Sequence, residues 1–352
     1  MLTTGVVFRC DSAEAPSEQL VPQGRTENLN EETHMTEQSP PPPEELVRTR
    51  EFHVPGPVEL ELSNGVGPLH VELVETDTVR VEVRHEPSHG YPDWRGGLSG
   101  LLSWVSEQIN ETGIKPGNGR GAGADREDEH ASGAGAEAVR RTRVEMTGNR
   151  LAVHPPTEVP LRSVPLVVRV HAPSGSRVSA HTGPGEVLVA GSSGRMSIQS
   201  GSGSVETGES TGTTTVRTGS GRISLGEMHA EVQARSGSGP VEIAAVNAAS
   251  SVVTGSGSVW LGEVSADLLV RSGSGSIAVA DGTAGQVELI SGSGDVQFAV
   301  GDDVAAEIDL VSSTGSVASE LEVATEPPSQ DPPPLRVFGR TGSGRALLTS
   351  SI

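Results

Sequence analysis

The chain has 352 residues, enough for one large domain or two ordinary ones, with a net charge of −21 and 2% aromatic residues beside 45 Gly and 24 Pro. So few aromatics argue against the thick core of a typical globular enzyme, and so much negative charge argues against nucleic acid and anionic membrane surfaces as partners. The single cysteine, Cys10, excludes a disulfide framework within one chain, and a lone Lys115 among many arginines points to GC-rich, bacterial coding.

Residues 1–45 are polar and acidic, with a proline run at 40–43 and no periodicity, and are expected to be disordered. The opening MLTTGVVFRCDSAEAP lacks a charged segment followed by an apolar run, and no stretch approaches 18 consecutive apolar residues. A cytoplasmic protein without a transmembrane segment is therefore expected, with Met35 as its true start. Residues 46–85 alternate: Val58/Leu60/Leu62, Leu69/Val71/Leu73 and Val79/Val81/Val83 each place apolar side chains two apart, as strands with one buried face do. Asn64-Gly65-Val66-Gly67 reads as the turn between two of them.

Residues 86–138 break this pattern and read as an insertion. Trp94, Leu98, Leu101, Leu102, Val105 and Ile109 fall near a 3.6-residue period, which predicts an amphipathic helix over 94–111 carrying Trp94 and Trp104. It is expected to dock on the strands or cap their end. The stretch 115–135 (KPGNGRGAGADREDEHASGAG) has the composition of a flexible linker. Strands are expected to resume at 139–146, 151–153 and 166–171.

From 182 onward the turns read TGPG, SGSG, TGSG, SGSG, TGSG, SGSG and SGSG. Their first glycines stand at 183, 201, 219, 237, 255, 273 and 292, a period of 18 with one 19. Each turn leads into a short alternating strand, such as Ile223/Leu225 or Val259/Leu261, and a second strand precedes it by nine residues, such as Val232/Ala234 or Leu268/Val270. One coil therefore holds two strands back to back. A coil alone buries too few side chains to offset the ordering of 18 residues. Stacking at about 4.8 Å lets every strand bond to both neighbours and makes the core continuous. The glycines are expected to serve positive φ at every corner, and the adjacent Ser and Thr to form a hydroxyl ladder. The fold class is then all-β: a single-stranded β-solenoid (β-helix) of nine or ten 18-residue coils with one inserted amphipathic helix. It occupies 139–352, with a Pro-rich loop at 326–334. The last turn, Thr341-Gly-Ser-Gly344, is expected to form the closing coil.

The repeated [ST]-G-S-G-x-[VI]-x-[VIL] unit, the segment Val170-His-Ala-Pro-Ser-Gly175 and the strands of 59–83 resemble the bacterial putative-adhesin family, a domain of unknown function. The resemblance covers roughly 46–85 and 139–350. It implies a right-handed solenoid and a non-catalytic binding or scaffold module with a protein or glycan partner. It brings no catalytic residue, cofactor or metal. Two other readings are a cytoplasmic regulator acting with envelope-stress or membrane partners through the inserted helix, and a carbohydrate-active β-helix enzyme.

The residues offer little chemistry. Calcium-binding β-rolls place Asp after the glycines, but that position holds Glu186, Ser204, Arg222, Pro240, Ser258, Ser276 and Asp295. Glu206 and Glu242 face outward two coils apart, about 10 Å, which slightly exceeds the usual spacing of a glycosidase pair. Two columns do recur. Arg217, Arg235 and Arg271 share one position, with Val253 in the missing rung, and Glu209, Glu227, Glu263 and Asp281 share another, with Ala245 in the gap. Most such columns are solvated or locally paired. With Trp260, outward by the alternation and expected beneath a loop or the helix, and with Trp94 and Trp104, the arginines form the candidate contact surface.

Overall fold

The computed structural model describes residues 47–86, 124–321 and 333–351. Two mostly parallel sheets face each other across a thin apolar core. We call the 13-stranded one sheet I and the 12-stranded one sheet II. Eleven two-strand coils stack among the described residues. Successive strands pair in parallel at an 18-residue offset: Ile223 lies opposite Val241 and then Val259 in sheet I, and Val216 opposite Ala234 and then Val252 in sheet II. Alternation does the rest. Val205, Ile223, Val241, Val259 and Ile277 point inward and are fully buried, as are Val216, Ala234, Val252 and Val270. The single 19-residue interval is absorbed at a corner, where Gly285 takes φ +99°; Leu268–Ser272 and Gly285–Ser291 stay in register in sheet II, while in sheet I the ladder of Ile277–Gly282 with Val296–Val300 shifts by one residue between Val279 and Gly282.

The glycine corners work differently from the expectation. Positive φ occurs at Gly67, Gly148, Gly175, Gly191 and Gly285, and not in the SGSG column. What that column needs is closeness. A Cβ on Gly203, Gly221, Gly239 or Gly257 would fall inside the carbonyl oxygen of the glycine one rung below. The hydroxyl ladder is present. The Gly275 N–H donates to Ser272 Oγ at 2.8 Å, and the hydroxyl of Ser291, one rung on, donates to the Gly275 carbonyl at 3.0 Å. Asn64 takes the hydroxyl's place in one coil. Its Nδ2 donates to Leu166 O at 2.7 Å, Gly67 O at 3.0 Å and Pro68 O at 3.3 Å, all buried. Asn64→Ala should therefore cost about 1–3 kcal/mol in chemical denaturation, because buried carbonyls lose their donor. An unchanged midpoint would contradict this.

Both ends depart from sequence order. At one end the coil formed by Glu59–Asn64 and Leu69–Val74 stacks directly on Arg177–Thr182 and Val187–Ala190. Arg150–His154 and Leu166–Pro173, later in sequence, lie outside it. At the other end Leu335–Thr341 and Ala346–Ser350 slot between the coil of Gly285–Val300 and that of Ala306–Ser319. The last turn is thus not the closing coil. Leu335, Val337 and Ala346 are fully buried, whereas Ile308 and Leu310 of the outermost rung are only half-buried. The better apolar set takes the interior position.

Two of the four strands in 46–85 are not coil strands. Thr78–His85 pairs antiparallel with Leu166–Pro173, and Val47–His53 antiparallel with Thr78–His85, which ends the parallel ladder of sheet I. Arg143–Thr147 does the same in sheet II against Arg150–His154. The expected linker is helical from Ala124, and the helix runs to Arg141, so the strand that follows starts at Arg143 and not at 139. Tertiary contact overrides the poor composition: Ala138 and Val139 are buried in the core cluster, and Arg48 donates to the terminal carbonyls of Arg140 (2.9 Å) and Thr142 (2.7 Å). This helix packs on Thr78–His85 and Val47–His53 and covers that end. The amphipathic helix expected at 94–111 lies outside the described residues, as does most of the Pro-rich loop.

Candidate functional site

The outward face of sheet II carries one column in full register: Arg217, Arg235, Val253, Arg271, Ile290, Arg340 and Val311, each on the next rung. The three arginines expected from sequence lie together, with Val253 between two of them. Arg340 was missed, because the inserted last coil brings it onto a rung that linear counting does not reach. All four arginines are exposed, and none of them makes an ion pair among the described residues. Val253 is 37% exposed and Val311 43%. The adjoining column adds half-buried Leu269 and Phe338, with Glu288 on the rung between them. The result is a strip where cations and apolar groups alternate, on a chain whose charge is otherwise strongly negative.

Other arginines are neutralised in place. Arg222 pairs with Glu242, Arg177 with Glu59, Arg150 with Glu61 and Arg336 with Glu307. These contacts couple neighbouring rungs on the surface and are each worth under about 1 kcal/mol.

Sheet I carries the acidic column at its far edge. Glu227, Ala245, Glu263 and Asp281 are in register, and Glu209 joins them beside the Ser210–Met228 bridge. His229 Nε2 lies 3.2 Å from Glu209 and 3.8 Å from Glu227. Trp260 faces outward between Glu242 and Ala278, and its ring reaches over Gly262. It is 47% exposed, so no described segment covers it. Trp94 and Trp104 lie outside the described residues.

Glu206 and Glu242 are two rungs apart, with Ser224 between them, and Glu242 is already held by Arg222. No group of three or more His, Cys, Asp or Glu is placed to hold a metal among the described residues. A shallow depression of about 220 Å³ lies on the sheet II side, lined by Asp267, Leu269, Gln286 and Glu288, beside the arginine column. Among the described residues no helix is long and apolar enough to cross a membrane.

Residues 167–331 match the family model described as Toastrack DUF4097. No curated protein matches. Among solved structures, a putative adhesin from Bacteroides fragilis NCTC 9343 aligns at 11% identity over 87% of this chain and 98% of its own, with a TM-score of 0.39. A putative cell adhesion protein from Clostridium sporogenes ATCC 15579 aligns at 8% identity over 86% and 98%, with a TM-score of 0.18. A putative lipid binding protein from Parabacteroides distasonis ATCC 8503 aligns at 11% identity over 85% and 96%, with a TM-score of 0.35.

Proposed function

We propose that this chain, whose residues 167–331 carry a Toastrack DUF4097 domain, is a non-catalytic binding and scaffold module of the adhesin type. It works through the outward columns of the solenoid. The arginine column is the observation that carries this reading. The backbone ladder fixes Arg217 and Arg235 one rung apart, about 4.8 Å, and Arg235, Arg271 and Arg340 at intervals of two rungs, about 10 Å. The ladder sets the spacing of the attachment points, so a partner meets cations at regular intervals and only the exposed side chains have to be ordered on contact. The interleaved Val253, Ile290 and Val311 supply apolar contact beside guanidiniums able to grip carboxylates. Exposed arginine beside apolar side chains is the composition of a contact centre.

The test is photo-crosslinking in native cells from a reactive residue placed at Val253. The expected result is a discrete adduct that falls roughly tenfold when Arg235 and Arg271 are both changed to Glu, since like charges would then meet in the contact. The unfolding midpoint should stay unchanged, since both side chains are exposed. No adduct, or an adduct indifferent to both changes, sinks the reading.

A further inference from the structure

We infer that the partner of the arginine column is the acidic column of a second copy of this chain, docked side by side and in register. This rests on the binding reading above and names its occupant. In four successive coils the acidic-column residue is followed eight residues later by the arginine-column residue: Glu209 by Arg217, Glu227 by Arg235, Ala245 by Val253 and Glu263 by Arg271. The two columns share the rung spacing of one backbone ladder, and they share the gap. Among these four coils the one that lacks an arginine also lacks the carboxylate, while in the next coil Asp281 stands with Ile290.

The placement permits the contact. Arg217 and Arg235 stand on sheet II just before the glycine corner, while Glu227 and Glu263 stand on sheet I just before the opposite corner. The columns therefore occupy opposite edges of opposite faces. A second copy shifted sideways, without rotation, sets its sheet I edge against the first copy's sheet II edge. In register, Arg217 meets Glu209, Arg235 meets Glu227 and Arg271 meets Glu263, with Val253 against Ala245. A slip of one rung in either direction keeps two opposite-charge contacts and sets charges against Ala245 and Val253, so the register is selected as well as the face. Glu209, Glu227 and Glu263 are all exposed, with His229 beside the first two. Each contact uses a different patch on each copy, so a docked pair still presents one free column of each kind and the association propagates into a row.

The experiment is sedimentation velocity of the full chain over a range of concentrations. The expected result is a mass that rises with concentration at about 0.05 M salt and returns to the monomer at about 0.5 M, where screening reaches only a few ångströms. Arg235→Glu alone and Glu227→Arg alone should each weaken the association roughly tenfold or more, because each sets like charges face to face. The two variants mixed should recover the association as an alternating row, because both kinds of interface between unlike variants again set opposite charges face to face, and the double variant Arg235→Glu/Glu227→Arg should associate like the parent chain. A chain that stays monomeric at every concentration, or one whose association ignores both substitutions, overturns the inference. The crosslink at Val253 separates the two failures. An adduct with a different protein leaves the binding reading standing and removes the second copy, while no adduct removes both.

Discussion

Gly239→Ala should be among the most disruptive single-methyl changes in this chain, costing about 3 kcal/mol in chemical denaturation, at the top of the range for overpacking. The added Cβ would fall inside the carbonyl oxygen of Gly221, with the Gly221 carbon and the Ser220 oxygen each 2.6 Å away. All three are backbone atoms, so no side chain can swing aside. Relief requires the two coils to part, and parting them breaks parallel ladders in both sheets at once, since Val216 pairs with Ala234 before that corner and Ile223 with Val241 after it. Each coil contacts only its neighbours, so the damage is confined to that junction and should split the solenoid into two cooperative units, seen as a second transition in the denaturation curve. Gly133→Ala is the control. Nothing lies within 4 Å of its Cβ, and it sits inside the helix Ala124–Arg141, so the change should gain up to about 1 kcal/mol. Equal midpoints for the two variants would contradict the close-approach account.

The interior of the solenoid was legible because every coil solves the same problem with the same residues. A period of 18 in glycine, and apolar pairs two apart, leave one arrangement in which all of them face inward. The ends were not legible, since a strand of the right period can stack on any rung and only comparison of rungs decides which. Ser312-Ser313-Thr314-Gly315 lacks the first glycine of its corner, while Thr341-Gly342-Ser343-Gly344 has both. The complete corner, with Leu335 and Val337 behind it, satisfies neighbours on two sides, and the incomplete one goes outside, where it needs only one. Arg340 joined the arginine column by this rearrangement, which counting along the chain could not show. The helix Ala124–Arg141 escaped notice for a different reason: its stabilising contacts are made by Ala138 and Val139 with strands far away in sequence, and its own composition resembles a linker.

Phe298→Ala should cost about 3–5 kcal/mol, the range for deleting a fully buried aromatic. Phe298 occupies the inward position that holds Val189, Leu225, Ile243, Leu261 and Val279 in earlier coils, and the extra volume needs an exit. Gly282 provides it. That position holds Met228, Val246 and Val264 on the preceding rungs, and the three atoms nearest a Cβ on Gly282 all belong to the Phe298 ring. The large residue on one rung and the missing side chain on the next are two halves of one packing solution. Gly282→Ala alone should therefore destabilise by about 1–3 kcal/mol, since a buried ring in a close-packed interior cannot retreat. In Gly282→Ala/Phe298→Leu the smaller side chain vacates that space, and the double variant should be more stable than the sum of its single changes by about 1–2 kcal/mol, as expected for residues in contact. Strict additivity in that cycle would mean that the ring and the glycine do not share the space assigned to them.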